Sequence, residues 1–188
     1  MNMATSSAAE SVRTLEWLKK TKWVAVPVYQ REYRWSFESA HRLLEDVKSV
    51  AAEDDPDATH FLGSMLTIGV GGVTLVDGQQ RLMTLVLMLM ALREAAQGED
   101  PDMAATIGAL LRAGTGPELR LRGHEKQAVV LRRLFADGVG ATGGAASGAL
   151  EENYGQLARE IADCWRRVWV GLNRLEMVVI RLLDGANA

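Results

Sequence analysis

Five consecutive residues, Asp77, Gly78, Gln79, Gln80 and Arg81, bring together the groups that phosphoryl transfer asks of a protein. An aspartate can hold a divalent cation or accept a proton, and neighbouring amides can orient a water or read a base. An arginine one turn into a helix can grip a phosphate with two parallel N–H groups. The stretch lies between the β-branched run "VTLV" and the apolar run 82–92, so Gly78 and the next amides are expected at the N-terminus of a buried helix. There, free N–H groups and the helix dipole favour an anion, and Gly78 lets the backbone come close to it. The same spacing also has a purely structural reading, in which Asp77 is the N-cap, Gln80 completes a capping box, and Gly78 eases the turn. The chain has no G-x-x-x-x-G-K-[ST], so any nucleotide site here falls outside the P-loop class.

A second constellation is "VPVYQREYRW", residues 26–35. Arg31 and Arg34 suit phosphates, and Tyr29 and Gln30 suit sugar, base or backbone contacts. Pro27, Val28 and the Tyr29 ring are expected to shape an apolar pocket, better suited to a soft, weakly hydrated group than to a phosphate oxygen. The alternative is an aromatic anchor with solvent-facing arginines. Arg112, Arg120, Arg122, His124, Lys126, Arg132 and Arg133 form either a second basic surface or a solvated helix face. His41 and His60 have no second ligand at metal spacing, so no zinc site is assigned.

These residues need elements to hold them. Ser6 or Ser7 can cap an amphipathic helix reaching about Lys20, with Val12, Leu15 and Leu18 on one face. "KWVAVPV" reads as an extended run, with Pro27 marking an edge or a strand end. Ser36 can cap a helix whose stripe is Leu43, Leu44 and Val47, and "EDDPD" ends it. Two β-rich runs joined by Gly71 and Gly72 predict a hairpin. Residues 82–92 are apolar on every side, as only a surrounded helix tolerates. A helix is expected from Pro101 to about Arg112, a strand at "ELRLR", and another helix ending at Gly138. The Gly/Ala/Ser run 138–149 reads as a mobile loop, followed by one long helix from Leu150 to about Leu172 and the strand "MVVIRLL". The chain then ends at "DGANA", as expected of a truncated one.

The bulk numbers set limits. With 188 residues, 48% hydrophobic and 24% charged, the chain is expected to be one globular domain, its core at 22–97 and additions at 101–183. A net charge of -3 argues against DNA binding by bulk electrostatics, so any nucleic-acid surface is a local patch. The lone Cys164 excludes an internal disulfide, fits a reducing cytoplasmic address, and reads as a small core residue. No run is long enough to cross a bilayer, and no membrane role is expected.

Taken in order, "VPVYQREYRWSFESAHRLLEDV", "HFLGSML" and "LVDGQQRLMTL" resemble the N-terminal domain of the GmrSD type IV restriction enzymes, strongly over residues 24–92 and only in style beyond. The resemblance implies an α/β fold of the α+β kind with a ParB/sulfiredoxin-like core: a small mixed sheet, a buried central helix and additional helices. It also implies hydrolysis of GTP or another NTP with Mg2+ at Asp77. Asp77, Gln79, Gln80 and Arg81 would then be catalytic, and Gly78, Arg81 and Thr84 would bind nucleotide. Met83 stands where the family often has threonine. In this family the domain is usually joined to a C-terminal HNH nuclease, whose residues are absent here, and the whole acts on foreign or modified DNA. The SspE-like branch of phosphorothioate-dependent anti-phage systems is similar at Tyr29, Gln30 and Arg31, which implies DNA contacts by Pro27, Val28, Tyr29, Gln30, Arg31 and Arg34. Two other readings remain: a non-catalytic sensor of modified DNA, and a dimerising regulatory module whose exposed "LRRLF" helix meets a partner.

Overall fold

In the computed structural model, which describes residues 7–142 and 148–182, the paired β-rich runs form the expected hairpin. Strands β3 (His60–Ile68) and β4 (Gly72–Asp77) pair antiparallel. The left-handed glycines of the turn are Gly69 and Gly71, and Gly72 already opens β4. Around this hairpin a six-stranded mixed sheet is built in the order β1-β6-β3-β4-β2-β5. β2 (Trp23–Ala25) lies parallel to β4 on one side and to the two-residue β5 (Leu121–Arg122) on the other. β2 ends two residues before Pro27, which marks a strand end and not a sheet edge.

Seven α-helices accompany the sheet among the described residues, making a mixed α/β fold. After β4 comes α3 (Gln79–Ala96), and every residue in 82–92 is buried, as its all-round apolar sequence requires. α2 (Phe37–Ala51) starts at Ser36, whose Oγ accepts from the Ser39 amide, and buries Leu43, Leu44 and Val47. α4 (Pro101–Leu111) opens with proline in its first turn behind an Asp100 cap. α5 (Glu125–Asp137) ends at Gly138, as expected. A continuous cluster of buried apolar residues runs from Leu15 to Val179. Among the described residues no helix is long and apolar enough to cross a membrane.

Several expected elements differ, among them the strand expected at "ELRLR", of which only Leu121–Arg122 is strand. Residues 7–13 form strand β1 (Ser7–Arg13), and α1 is only Thr14–Lys20; Ser6 lies outside the described residues. β1 pairs antiparallel with β6 (Leu175–Leu182), so a partner contributed from the other end of the sequence overrides the local helical pattern. The long helix expected from 150 is two, α6 (Ala149–Ile161) and α7 (Trp165–Asn173). Ile161, Trp165, Val168 and Leu172 are all buried at continuous helical spacing, which is why the break at 162–164 leaves no trace in the hydrophobic pattern. Part of the expected loop, Gly138–Ala141, is a turn of 3-10 helix, and residues 143–147 lie outside the described set.

Candidate functional site

β2 and β4 are adjacent and parallel, with Ala25 opposite Thr74, so the segments following both strands leave the sheet at the same end. That end is where open α/β sheets present ligand crevices. Here it joins the two constellations in one cleft of about 160 Å³, lined by Gln30, Arg31, Trp35, Asp77, Gly78, Gln79, Gln80 and Arg81. The volume is below the roughly 300–1,000 Å³ of a site that engulfs a small molecule, so the cleft suits a phosphate group and not a whole nucleotide.

The floor is the N-terminus of α3. Its N-cap is Gly78 at φ 94°, with no side-chain cap, so the capping box expected of Asp77 and Gln80 is not formed. The reason is geometric: Asp77 is still the last residue of β4, and a β-carbon on Gly78 would lie 2.9 Å from Cγ of Met65 on β3. The amides at the helix start are left without a side-chain cap, the arrangement that can receive an anion. Asp77 is exposed and belongs to no ion pair among the described residues.

The two glutamines tie this helix to the segment after β2. Gln80 Oε1 accepts from the amides of Arg34 (2.8 Å) and Trp35 (3.2 Å), and its Nε2 donates to the Glu32 carbonyl (3.3 Å). Gln80 is therefore committed to the backbone and, in this arrangement, is not free to place a water. Gln79 Nε2 donates to the Arg31 carbonyl at 2.9 Å, which fixes the orientation of the amide. Its Oε1 is buried with no partner, on a residue only 4% exposed. An orphaned acceptor of this kind costs stability until a donor reaches it. From the other side, Gln30 Nε2 donates to the Val76 carbonyl at 2.7 Å.

Arg81 lines the cleft, but its guanidinium does not hang free. Nη1 donates to the carbonyls of Leu62 (3.1 Å) and Ser64 (3.4 Å) on β3. These are the only hydrogen bonds of Arg81 among the described residues, so Nη2 and Nε keep their donors for a ligand.

The remaining expected residues divide. Thr84 does not reach the cleft: it is fully buried, donates to the Gln80 carbonyl, and lies 2.8 Å from the Tyr33 hydroxyl. Asn153 on α6 donates to that hydroxyl and to the Trp35 carbonyl, both at 2.9 Å. Tyr33 is thus the aromatic anchor of its segment, and burial pushes its phenol pKa up despite the hydrogen bonds from Thr84 and Asn153. Met83, also fully buried, lies where a hydroxyl would not meet a ligand. Val28 and Tyr29 are 77% and 75% exposed, so with Pro27 they form no enclosed apolar pocket. Arg31 and Arg34 are exposed, but only Arg31 lines the cleft.

Elsewhere, Arg120 is no part of a basic surface. It is buried and donates to the carbonyls of Leu110, Ala109 and Thr21, tying α4 to the end of α1, and burial lowers its pKa. Leu131 and Leu134 are buried and Phe135 packs beneath Arg93 and Arg112, so "LRRLF" offers no exposed apolar face. His41 Nδ1 lies 3.1 Å from Glu160 Oε2, and Glu45 completes a group within metal-ligating reach. Lys48 Nζ stands 2.9 Å from Glu45 and 3.6 Å from Glu160, so the protein supplies its own cation there. Cys164 is half-buried at the start of α7, with Sγ 3.2 Å from the Glu160 carbonyl.

The sheet end, uncapped helix and flanking arginines belong to a mixed α/β domain whose cleft is lined by N–H donors. The chain belongs to the family described as GmrSD restriction endonuclease, N-terminal domain, which it matches over residues 14–164. The match extends well past the quoted motifs, through α6, and leaves out β1, α7 and β6. No curated protein matches the chain. One group escaped the sequence reading: the β3 backbone around Gly63, which receives Arg81. The signal was present as the glycine inside the strand-like run "HFLGSML".

Proposed function

We propose that this domain binds and hydrolyses a nucleoside triphosphate, with GTP the first candidate, and couples it to recognition of modified DNA in an anti-phage restriction protein. The observation that carries the reading is the uncapped N-terminus of α3 in a cleft flanked by Arg31 and Arg81. Oriented amides plus two guanidinium groups match the charge and hydrogen-bonding needs of a terminal phosphate.

The donor set fits Mg2+, which takes one or two carboxylates and fills its other positions with phosphate oxygens and water. Asp77 is the residue that would hold it, and the ion when bound would neutralise phosphate charge. Arg81 and the helix amides bind the γ-phosphate. Gln79 Oε1, the orphaned acceptor, is closed off from solvent in this arrangement and accepts a hydrogen bond from the attacking water once the Arg31 segment shifts on nucleotide binding. The water oxygen forms a bond to the γ-phosphorus, the bond to the bridging oxygen breaks with its electron pair leaving on the diphosphate, and the water's proton passes to a phosphate oxygen. Gln80 acts indirectly, by holding residues 32–35 against the helix.

For DNA, exposed Tyr29 and Val28, with Pro27, Gln30, Arg31 and Arg34, provide a surface beside the cleft and not an enclosed pocket. Phosphorothioate, whose sulfur is larger and less strongly hydrated than oxygen, is the modification proposed. A second reading, a sensor without catalysis, is favoured by the commitment of Gln80 to the backbone. A hydrolysis panel of nucleoside triphosphates with Mg2+, with and without phosphorothioate duplex, on wild type and Asp77→Ala, separates the two. Hydrolysis lost in Asp77→Ala supports the enzyme, and binding of modified duplex without hydrolysis supports the sensor.

A further inference from the structure

β3 has β4 beside it only from Leu66 onward, so residues 60–65 face the helix start with an open strand edge. On its other side, β3 steps out of register with β6 between Phe61 and Gly63, a bulge that leaves Leu62 without a partner residue. Gly63 sits at φ +114°, a conformation that residues with a β-carbon rarely adopt. Into this open, bulged edge comes the guanidinium of Arg81, donating from one nitrogen to the carbonyls on both sides of Gly63. A β-carbon at residue 63 would overlap Nη1 and lie 2.9 Å from Cζ of Arg81. The guanidinium therefore occupies the space that only a glycine leaves empty.

We propose that Gly63 is a positioning residue of the anion site: its missing side chain and the β3 bulge form the seat that holds Arg81 at the mouth of the α3 N-terminus. This inference rests on the nucleotide reading for its ligand, but the seat itself is independent of it. With Nη1 engaged by two carbonyls, the guanidinium is pre-oriented and less rotamer entropy is lost when a phosphate binds. The glycine of "HFLGSML" and the arginine of "DGQQR" are then one unit, 18 positions apart in sequence.

The test is a double-mutant cycle on the full chain with Gly63→Ala, Arg81→Ala and the pair. Binding of a non-hydrolysable GTP analogue with Mg2+ is titrated, and thermal unfolding is followed separately without nucleotide. Each single change is expected to weaken binding roughly tenfold or more, and the pair no more than Arg81→Ala alone. Gly63→Ala is expected to lower Tm, and adding Arg81→Ala to recover part of that loss, because the overlapping group is gone. The proposal is overturned if folded Gly63→Ala binds like wild type, if the two affinity losses multiply, or if Arg81→Ala recovers no stability. Should Gly63→Ala not fold, a folded double variant supports the seat. A double variant that also fails to fold overturns it, since backbone strain would then set the requirement for glycine. If wild type binds no nucleotide, the nucleotide reading fails while the thermal cycle still decides whether residues 63 and 81 act together.

Discussion

Gln80 and Arg81 are neighbours in sequence with opposite duties. Gln80 spends its whole amide on the backbone of residues 32–35, whereas Arg81 uses one nitrogen on β3 and keeps the others. Gln80→Ala is expected to destabilise the fold by about 1–3 kcal/mol, since two amides and a carbonyl lose their partners; urea unfolding reads this. Arg81→Ala leaves no buried group unpaired except two strand-edge carbonyls, so its effect on stability should be smaller and its effect on nucleotide binding larger. Gln79→Ala should lower hydrolysis more than affinity, visible as a fall in kcat with little change in KM, because its free acceptor is assigned to the water and not to the phosphate.

At the scale of elements, α3 carries the site and the core together. A helix buried on every side cannot shift without repacking, so the amides at its start are fixed in place. Leu85→Ala, in its fully buried stretch, is expected to cost about 2–5 kcal/mol, measured by urea unfolding. The Tyr33, Thr84 and Asn153 network fastens the segment after β2 to α3 and α6. The Tyr33 phenol is held above its usual value of about 10, so the folded state favours its neutral form. That stabilisation is fully present below the unfolded value and is lost as pH rises through the folded one. Thermal unfolding across pH 8 to 11 (an order-of-magnitude window around the phenol value) should show Tm falling at the alkaline end, less steeply in Tyr33→Phe. The elements themselves were unevenly legible. The hairpin and α3 could be read because their pattern is local. β1 and the break between α6 and α7 could not, since one depends on pairing with a distant strand and the other interrupts no apolar stripe. Arg120 looks like surface charge in sequence, and only the carbonyls around it show otherwise.

At the scale of the whole molecule, the site exists because β2 and β4 run side by side in parallel. The residue types at Gln30, Arg31 and 77–81 could be singled out in sequence, but their union in one cleft is a property of strand order. Tyr29 and Arg34 are exposed neighbours in sequence of the lining residues Gln30, Arg31 and Trp35, and under the proposed function a duplex contacts them while the cleft holds a phosphate. DNA affinity should then fall with salt only as far as a few phosphate contacts dictate, and Arg34→Ala should reduce the slope of log K against log salt by about 1. The most direct measurement is equilibrium titration of Mg-GTP analogue into wild type and Arg81→Ala. Saturable binding by wild type that weakens roughly tenfold or more in Arg81→Ala is the expected result. Equal binding by both proteins, or none by wild type, would contradict a phosphate site at the start of α3.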